Sequence, residues 1–476
     1  MTLGVSDDIG GSRYDRGALT PGLVHIGVGR FHRAHLAVYL DDLMGQGQGR
    51  EWAIRGIGLR PEDVETRDAL RAQDCRYSVT EKHPDGTRST RVVGSIVEFV
   101  DGYSDPHAAI DAIAEAGTRV VSLTITEGGY QVDLADPQIA ADLAGAVPRT
   151  VFGVVCEGLR RRRDRGLGPV SVLSCDNIQG NGAVARDAFT TFARALDADL
   201  ATWIATHVSF PSTMVDRITP VPTGDDVAEV RARTGLADPA AVVCEPFRQF
   251  VVEDDFVAGR PPWEAVGVQM VADVEPYEQM KLRLLNAPHQ ILAHFGLLAG
   301  YAYTSEAMRD RDLVGLIEAF QDREARPTLP VVPGVDLAEY TRTVRDRFAN
   351  PQMADTLVRI ATSASARVPA FLLPVVRDRL AAGASSPIAA ATVAAWLHRL
   401  RRAAQPVQPG TQVHVPDETT LVAPGAAPTV RDLTAHPLFG DLSAQPRFTD
   451  AVEEWSRDLE RDGVASVVRR LLQQDV

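Results

Sequence analysis

The chain has 476 residues, which at roughly 100 to 200 residues per domain predicts two or three domains around large cores. Hydrophobic residues at 45%, charged residues at 24% and a mean hydropathy of −0.08 are ordinary for a globular protein and exclude disordered, collagen-like and coiled-coil architectures. A net charge of −14 argues against a nucleic-acid partner, and no apolar run reaches the roughly 18 residues that a membrane span needs.

The first residues, MTLGVSDDIGGSRYDRG, lack a basic stretch leading into an apolar one, so the expected location is the cytoplasm. Residues 22–29, GLVHIGVG, predict a strand ending in a glycine turn, and FHRAHLAVYLDDLMGQG after it has helical spacing. WAIRGIGL (52–59) predicts a second strand and RPEDVETRDALRAQ a second helix. Further strands are expected at RVVSLTIT (119–126) and PVSVLSCDN (169–177), with helices at DPHAAIDAIAEAG and NGAVARDAFTTFARAL. This alternation predicts an α/β, Rossmann-type doubly wound parallel sheet over residues 1–276. From 277 to 476 helical patterns take over: YEQMKLRLLN, QILAHFGLLAGY, DLVGLIEAF, DTLVRIATSA, AAATVAAWLHRLRRA and ASVVRRLLQQ. The C-terminal domain is therefore expected to be mainly α-helical, with Pro/Gly-rich loops at TLPVVPGVDL and QPVQPGTQVHVPDETTLVAPGAAPTV. The four cysteines, Cys75, Cys156, Cys175 and Cys244, stand far apart without metal-ligand spacing, which predicts buried reduced thiols and no metal site. The arginine clusters LRRRRDR (159–165) and LHRLRRA (397–403) read as solvated helix faces.

Of 49 basic residues only two are lysines, Lys82 and Lys281. A lysine that survives such a bias toward arginine is a candidate for work a guanidinium does not do, because a desolvated amine loses its proton near neutrality and arginine does not. Lys82 lies in a Pro/Asp/Gly turn, TEKHPDGTRST, and is expected at the solvent. Lys281 shares MKLRLLNAPH with Asn286 and His289. On an unbroken helix Asn286 lies about 140 degrees and His289 about 80 degrees from Lys281, so all three border one face. Pro288 predicts a break near Asn286, leaving a second reading in which Asn286 caps the next helix and His289 is a packing residue.

At the other end of the chain, Gly27 and Gly29 let backbone approach a pyrophosphate, with Phe31 in the same turn as a further cofactor-binding candidate. The third glycine of the usual fingerprint is replaced by His32. Glu62 and Asp63 follow the second strand, where carboxylates bond the adenosine ribose and repel a 2′-phosphate, so NAD is favoured over NADP; the alternative is acidic residues favoured by a helix N-terminus. Asn177, in SCDNIQGNG, follows another strand. Asn177 and Asn286 as amide donors to a developing alkoxide, with Lys281 taking the hydroxyl proton, form a route to hydride transfer that requires no zinc.

Together HIGVGRFHRAH (25–35), SLTITEGGY (122–130), SCDNIQGNGAV (174–184), VSFPSTMVDRITP (208–220), CEPFRQFVVEDDF (244–256) and YEQMKLRLLNAPH (277–289) resemble the mannitol dehydrogenase family of polyol-specific long-chain dehydrogenases/reductases, over nearly the whole chain. The pattern is most like the mannitol 2-dehydrogenases within it. The resemblance implies an N-terminal Rossmann-type domain, a C-terminal helical domain and metal-free, NAD(P)-dependent oxidation of a polyol to a ketose: D-mannitol to D-fructose first, D-arabinitol or D-sorbitol next. It also implies Lys281 as catalytic base, Asn177 and Asn286 as the oxyanion pair, His289, Asp216 and Arg359 as substrate-binding residues, and a monomer. One position departs from the family: Arg367 stands where a lysine is common, and its larger planar head bears on which polyol fits. Two alternatives stay open, a hexuronate reductase acting on fructuronate or tagaturonate with Arg367 and Arg359 as carboxylate anchors, and a noncatalytic nucleotide-binding sensor.

Overall fold

The computed structural model describes residues 14–235, 237–404, 421–422, 426 and 428–474, so most of the Pro/Gly-rich loop expected at 405–430 lies outside the described residues. The chain divides into two compact units, Met1–Glu275 and Pro276–Val476. No helix among the described residues is long and apolar enough to cross a membrane.

The first unit holds the strands β1 (Pro21–Ile26), β2 (Ala53–Gly58), β3 (Tyr77–Lys82), β4 (Arg88–Val93), β5 (Ile96–Asp101), β6 (Val120–Leu123), β7 (Ser171–Ser174), β8 (Thr213–Asp216), β9 (Val242–Cys244), β10 (Gln249–Glu253) and β11 (Gln269–Val271). Five of them form one sheet in the order β5-β2-β1-β6-β7, with every neighbouring pair parallel. The four apolar runs legible in the sequence supply β1, β2, β6 and β7. Successive side chains point to opposite faces: Leu23 and Ile54 enter the core on one side of the sheet, and Val24, Ile26 and Ile57 enter it on the other. Both faces are covered, as a parallel sheet requires. From β1 the chain moves outward to β2 and β5, then crosses to β6 and β7, so strand order reverses between β1 and β6. Open α/β sheets bind ligands at such a reversal, outside the carboxyl ends of the strands.

Two three-stranded sheets, β4-β3-β9 and β11-β10-β8, complete this unit. The β3–β4 hairpin turns where TEKHPDGTRST predicts, but Lys82 is not at the solvent. It is 7% exposed, and its Nζ lies 2.6 Å from Asp226 Oδ1, which Arg88 also reaches at 3.0 Å. The cause is tertiary: Asp226 sits in the capping box that opens the helix Gly224–Thr234 and presents its carboxylate to the hairpin. Burial raises the Asp226 carboxyl, but hydrogen bonds from Lys82, Thr223 and Arg88 outweigh it and bring its pKa down to about 2. The arginine cluster of the helix Val151–Arg165 is likewise only partly a solvated face. Arg160, Arg161 and Arg163 pair with Glu157, Asp111 and Asp197, whereas Arg162 is buried and donates to the carbonyls of Ile113, Glu115 and Gly168. All four cysteines are buried free thiols.

The second unit is helical, its longer members being Ala287–Leu298, Arg311–Ala319, Leu337–Phe348, Pro387–Ala404, Pro446–Asp462 and Val464–Gln473. Three π-helical segments, Leu282–Asn286, Phe320–Ala325 and Val368–Leu372, interrupt the α-helical bonding among the described residues. Within the second of them Glu324 is fully buried, and it accepts from the N–H groups of Ile388 (2.7 Å) and Ala389 (3.0 Å) at the start of the helix Pro387–Ala404. Burial raises its pKa to about 7, although these two donors pull the other way.

Candidate active site

In the first unit the loops that carry Gly27, Glu62, Asp63 and Asn177 leave the carboxyl edge of the five-stranded sheet. Gly27 follows β1 with φ +92°, a conformation open chiefly to glycine. A Cβ there would stand 2.2 Å from the Thr124 carbonyl oxygen on the neighbouring strand end. Gly29 differs: its backbone is extended, and a Cβ would meet only the Gly27 carbonyl at 3.9 Å. Gly27 is thus required by the fold, while Gly29 leaves an open face on the turn, the fit expected of a glycine that admits a dinucleotide's phosphates. The helix behind the turn is two pieces, Arg30–Ala34 and Leu36–Gly45, jointed at His35. Phe31 is half-buried and stacks on His35, ring centroids 4.9 Å apart.

Beyond β2, Glu62 is exposed and lies 3.4 Å from the Arg60 guanidinium. The Asp63 carboxylate accepts from the Arg60 backbone N–H at 3.0 Å, so this acid stabilises its own turn as well as facing the strand end. Asn177, beyond β7, is exposed. Its neighbour Asp176 is a residue the sequence reading missed: it is buried, and its carboxylate accepts from the N–H groups of Ile125 and Thr126, each at 2.9 Å, and from the Tyr130 hydroxyl at 2.7 Å. Thr126 needs such a clamp, since its φ of +68° is costly for a β-branched residue. The Asn181 amide donates to the Asp176 carbonyl at 3.0 Å and to the Thr213 carbonyl at 2.9 Å, tying the Asn177 loop to the start of β8. Asp216 ends that strand, buried and opposite Gln249 of β10, about 10 Å along at 3.3 Å per residue.

In the second unit Lys281 closes the helix Glu275–Lys281 and is buried. No break follows. Asn286 keeps right-handed helical angles, φ −69° and ψ −40°, and makes no capping bond with its side chain. The expected break is replaced by the π-turn Leu282–Asn286, in which the Ala287 N–H reaches back to the Leu282 carbonyl. Pro288 brings no N–H to the carbonyl four residues before it, Leu284, and a proline in a regular helix also crowds that carbonyl. Here the Leu284 carbonyl accepts from the buried Gln321 amide at 2.8 Å, and Gln321 accepts in turn from Arg345 at 2.7 Å. The wider turn moves Asn286 and His289 off the α-helical spacing from Lys281.

The Asn286 carboxamide oxygen is buried without a hydrogen-bond partner among the described residues, a costly state that a ligand donor would relieve. His289 is half-buried and stacks on Phe348, centroids 3.9 Å apart. Glu278, one turn before Lys281, is a second buried acid missed in the sequence, where no spacing distinguished it from a surface glutamate. Arg367 Nη1 donates to the Ile360 carbonyl at 2.9 Å, and the Gln290 amide donates to the same oxygen at 3.3 Å, so the structure brings Arg367 against the helix that carries His289. Arg359 lends its carbonyl to Arg367 Nη1, at 3.3 Å. Its side chain is 61% exposed and held in a two-bond pair by Asp355, at 2.7 and 2.5 Å. Among the described residues no group of three His, Cys, Asp or Glu side chains is arranged to hold a metal ion.

A parallel sheet with a glycine turn at its strand-order reversal defines a dinucleotide-binding unit of the Rossmann type, and here it is followed by a helical unit. Residues 21–265 match the mannitol dehydrogenase Rossmann domain, and residues 273–459 match the mannitol dehydrogenase C-terminal domain. The mannitol 2-dehydrogenase of Cereibacter sphaeroides is 42% identical over 96% of this chain and 98% of its own. A solved structure of Pseudomonas fluorescens mannitol 2-dehydrogenase, a ternary complex with NAD and D-mannitol, is 39% identical with a TM-score of 0.88, covering 100% of both chains. A D-sorbitol dehydrogenase crystallised in substrate-free form is 34% identical over 98% of both chains, with a TM-score of 0.89. The chain belongs to the mannitol dehydrogenase family.

Proposed function

We propose that this protein is an NAD-dependent polyol dehydrogenase that oxidises D-mannitol to D-fructose, with D-arabinitol or D-sorbitol as further substrates. The observation that carries the reading is the end-to-end likeness to a mannitol 2-dehydrogenase solved with NAD and D-mannitol. In this reading the N-terminal unit, Met1–Glu275, binds the dinucleotide and the C-terminal unit, Pro276–Val476, supplies the base. Gly27, Gly29 and Phe31 form the cofactor turn, and Glu62 and Asp63 meet the adenosine ribose. NAD, when bound, supplies the hydride acceptor.

The chain's own residues do the rest. Lys281 takes the hydroxyl proton at its Nζ. Asn177 and Asn286 donate amide hydrogens to the oxygen as negative charge develops on it, a service that needs position and no titration. The unmet Asn286 oxygen accepts a hydrogen bond from a neighbouring substrate hydroxyl. His289, Asp216, Arg359 and Arg367 hold the remaining hydroxyls. Arg359 is already neutralised by Asp355, and Arg367 spends a guanidinium nitrogen on backbone carbonyls. The reading includes a cytoplasmic location and a monomeric state.

Initial rates with a panel of polyols, ketoses and hexuronates, each with NAD(H) and NADP(H), test it. The highest kcat/KM is expected for D-mannitol with NAD. A preference for a hexuronate would overturn the substrate class, and a preference for NADP would overturn the role of Glu62 and Asp63.

A further inference from the structure

The turn after β1 lacks the third glycine that usually lets a helix close on its strand, and the structure shows what takes its place. The His32 ring, 1% exposed, lies face to face on that of His25, with centroids 3.3 Å apart and planes 12° from parallel. Neither ring nitrogen of His32 has a hydrogen-bond partner among the described residues. His25, inside β1, is bonded at both nitrogens. Its Nδ1 lies 2.8 Å from Ser122 Oγ, and its Nε2 lies 3.0 Å from Thr124 Oγ1 and 3.1 Å from the Gly27 carbonyl. The Thr124 hydroxyl donates to that same carbonyl at 2.6 Å.

The proton positions follow from what each atom is able to do. A carbonyl oxygen only accepts, and Thr124 has one hydroxyl proton, which goes to Gly27. His25 therefore carries its proton on Nε2 and accepts from Ser122 at Nδ1. The donors run in one direction, from Ser122 through His25 and Thr124 to the Gly27 carbonyl. Burial lowers the His25 pKa to about 3, so the chain of donors is uncharged through the neutral range. The Gly29 N–H adds a further donor to the same oxygen, at 2.7 Å.

We propose that Thr124, backed by His25, is a positioning residue for the dinucleotide: together they hold the Gly27 carbonyl turned in toward β6, so that an anionic pyrophosphate meets the open face at Gly29. A carbonyl oxygen left free in this turn would present the negative end of its dipole to the phosphates. His32 supports the arrangement by filling the third-glycine position with a ring that packs flat on His25. The inference rests on the reading of the β1 turn as the dinucleotide site, and it adds residues that have no need to touch the cofactor.

The test is NADH titration of the purified full-length protein by nicotinamide fluorescence, beside steady-state rates and thermal melts, for Thr124→Val and Thr124→Ser. Thr124→Val keeps the shape and removes the donor. Loss of one such bond corresponds to about a tenfold weaker Kd for NADH, with the KM for NAD rising in parallel and the fall in kcat at saturating NAD smaller than the rise in KM. Thr124→Ser, which restores the hydroxyl, should recover most of the affinity. His25→Phe keeps a ring against His32 without the Nε2 proton, and it should weaken NADH binding too; it decides the matter if Thr124→Val does not fold. Unchanged NADH affinity in Thr124→Val, or a serine variant as weak as the valine one, overturns the positioning role alone. A wild-type protein that binds no NADH overturns the dinucleotide reading beneath it.

Discussion

The turn after β1 and the helix from Lys281 to His289 both depart from regular backbone beside candidate site residues, and they do so by opposite means. At Gly27 the departure is local: a residue without a Cβ takes φ +92° against the end of β6. At Pro288 it is distant: the chain keeps its helical path through a π-turn because Gln321, far along the sequence, satisfies the Leu284 carbonyl. A glycine turn is written in the residues that make it, whereas a π-turn depends on a partner that only the fold delivers. Substitutions on the two sides should therefore fail differently.

The largest effect is expected at Lys281. Lys281→Ala should lower the oxidation rate roughly 100- to 10,000-fold, the usual worth of a general base, and Lys281→Arg should do no better because a guanidinium stays protonated. Near-normal turnover in either variant would remove the base from the reading. Asn286→Ala comes next: a donor aimed at developing negative charge is typically worth about 100- to 1,000-fold in kcat, with NADH binding little changed. Asn177→Ala should behave alike, and the double variant should lose less than the product of the two. A residue that served only packing would instead lower the melting temperature and spare kcat, so melts and rates measured together separate the two roles.

A third prediction uses Glu324. Its pKa is about 7 in the fold against an ordinary value near 4.3, so the folded chain holds this proton more tightly than the unfolded one. Its contribution is fully present below the unfolded value, is lost as pH rises to the folded value, and amounts to roughly 4 kcal/mol across that window. Glu324→Gln should flatten the corresponding slope in melting temperature between pH 5 and 7, and an unchanged slope would assign it elsewhere. Gln321→Leu, by stranding the Leu284 carbonyl, should cost about 1–3 kcal/mol in urea unfolding; a smaller loss would show that the π-turn sustains itself. The smallest effect sharpens the comparison on the glycine side. Gly29→Ala meets no protein atom closer than 3.9 Å, so its melting temperature should hold while NADH affinity falls about tenfold, or about 1.4 kcal/mol. Gly27→Ala should lose stability as well.

The strands of the parallel sheet were legible because a strand buried on both faces is a continuous apolar run, and the runs at 22–29, 52–59, 119–126 and 169–177 are such. β5, reading IVEFVD, is not legible in this way because Glu98 and Asp101 interrupt it, and the charge-rich helices Leu337–Phe348 and Pro446–Asp462 are obscured for a similar reason. The candidate residues themselves were legible by type: the Lys281 to His289 segment stood out through the scarcity of lysine, and Gly27 through its place after an apolar run. What sequence alone determined was thus the class of fold and the chemical groups in play, since periodicity and side-chain chemistry are local properties. Tertiary structure decided the rest. It buried Lys82 on Asp226 and Arg162 on four carbonyls, converted the break expected at Pro288 into a π-turn, and placed Asp176 behind the Ile125 and Thr126 backbone and Thr124 behind the Gly27 turn. Each of these depends on which polar group meets which across long stretches of chain, and burial makes such pairing compulsory without any local pattern to announce it.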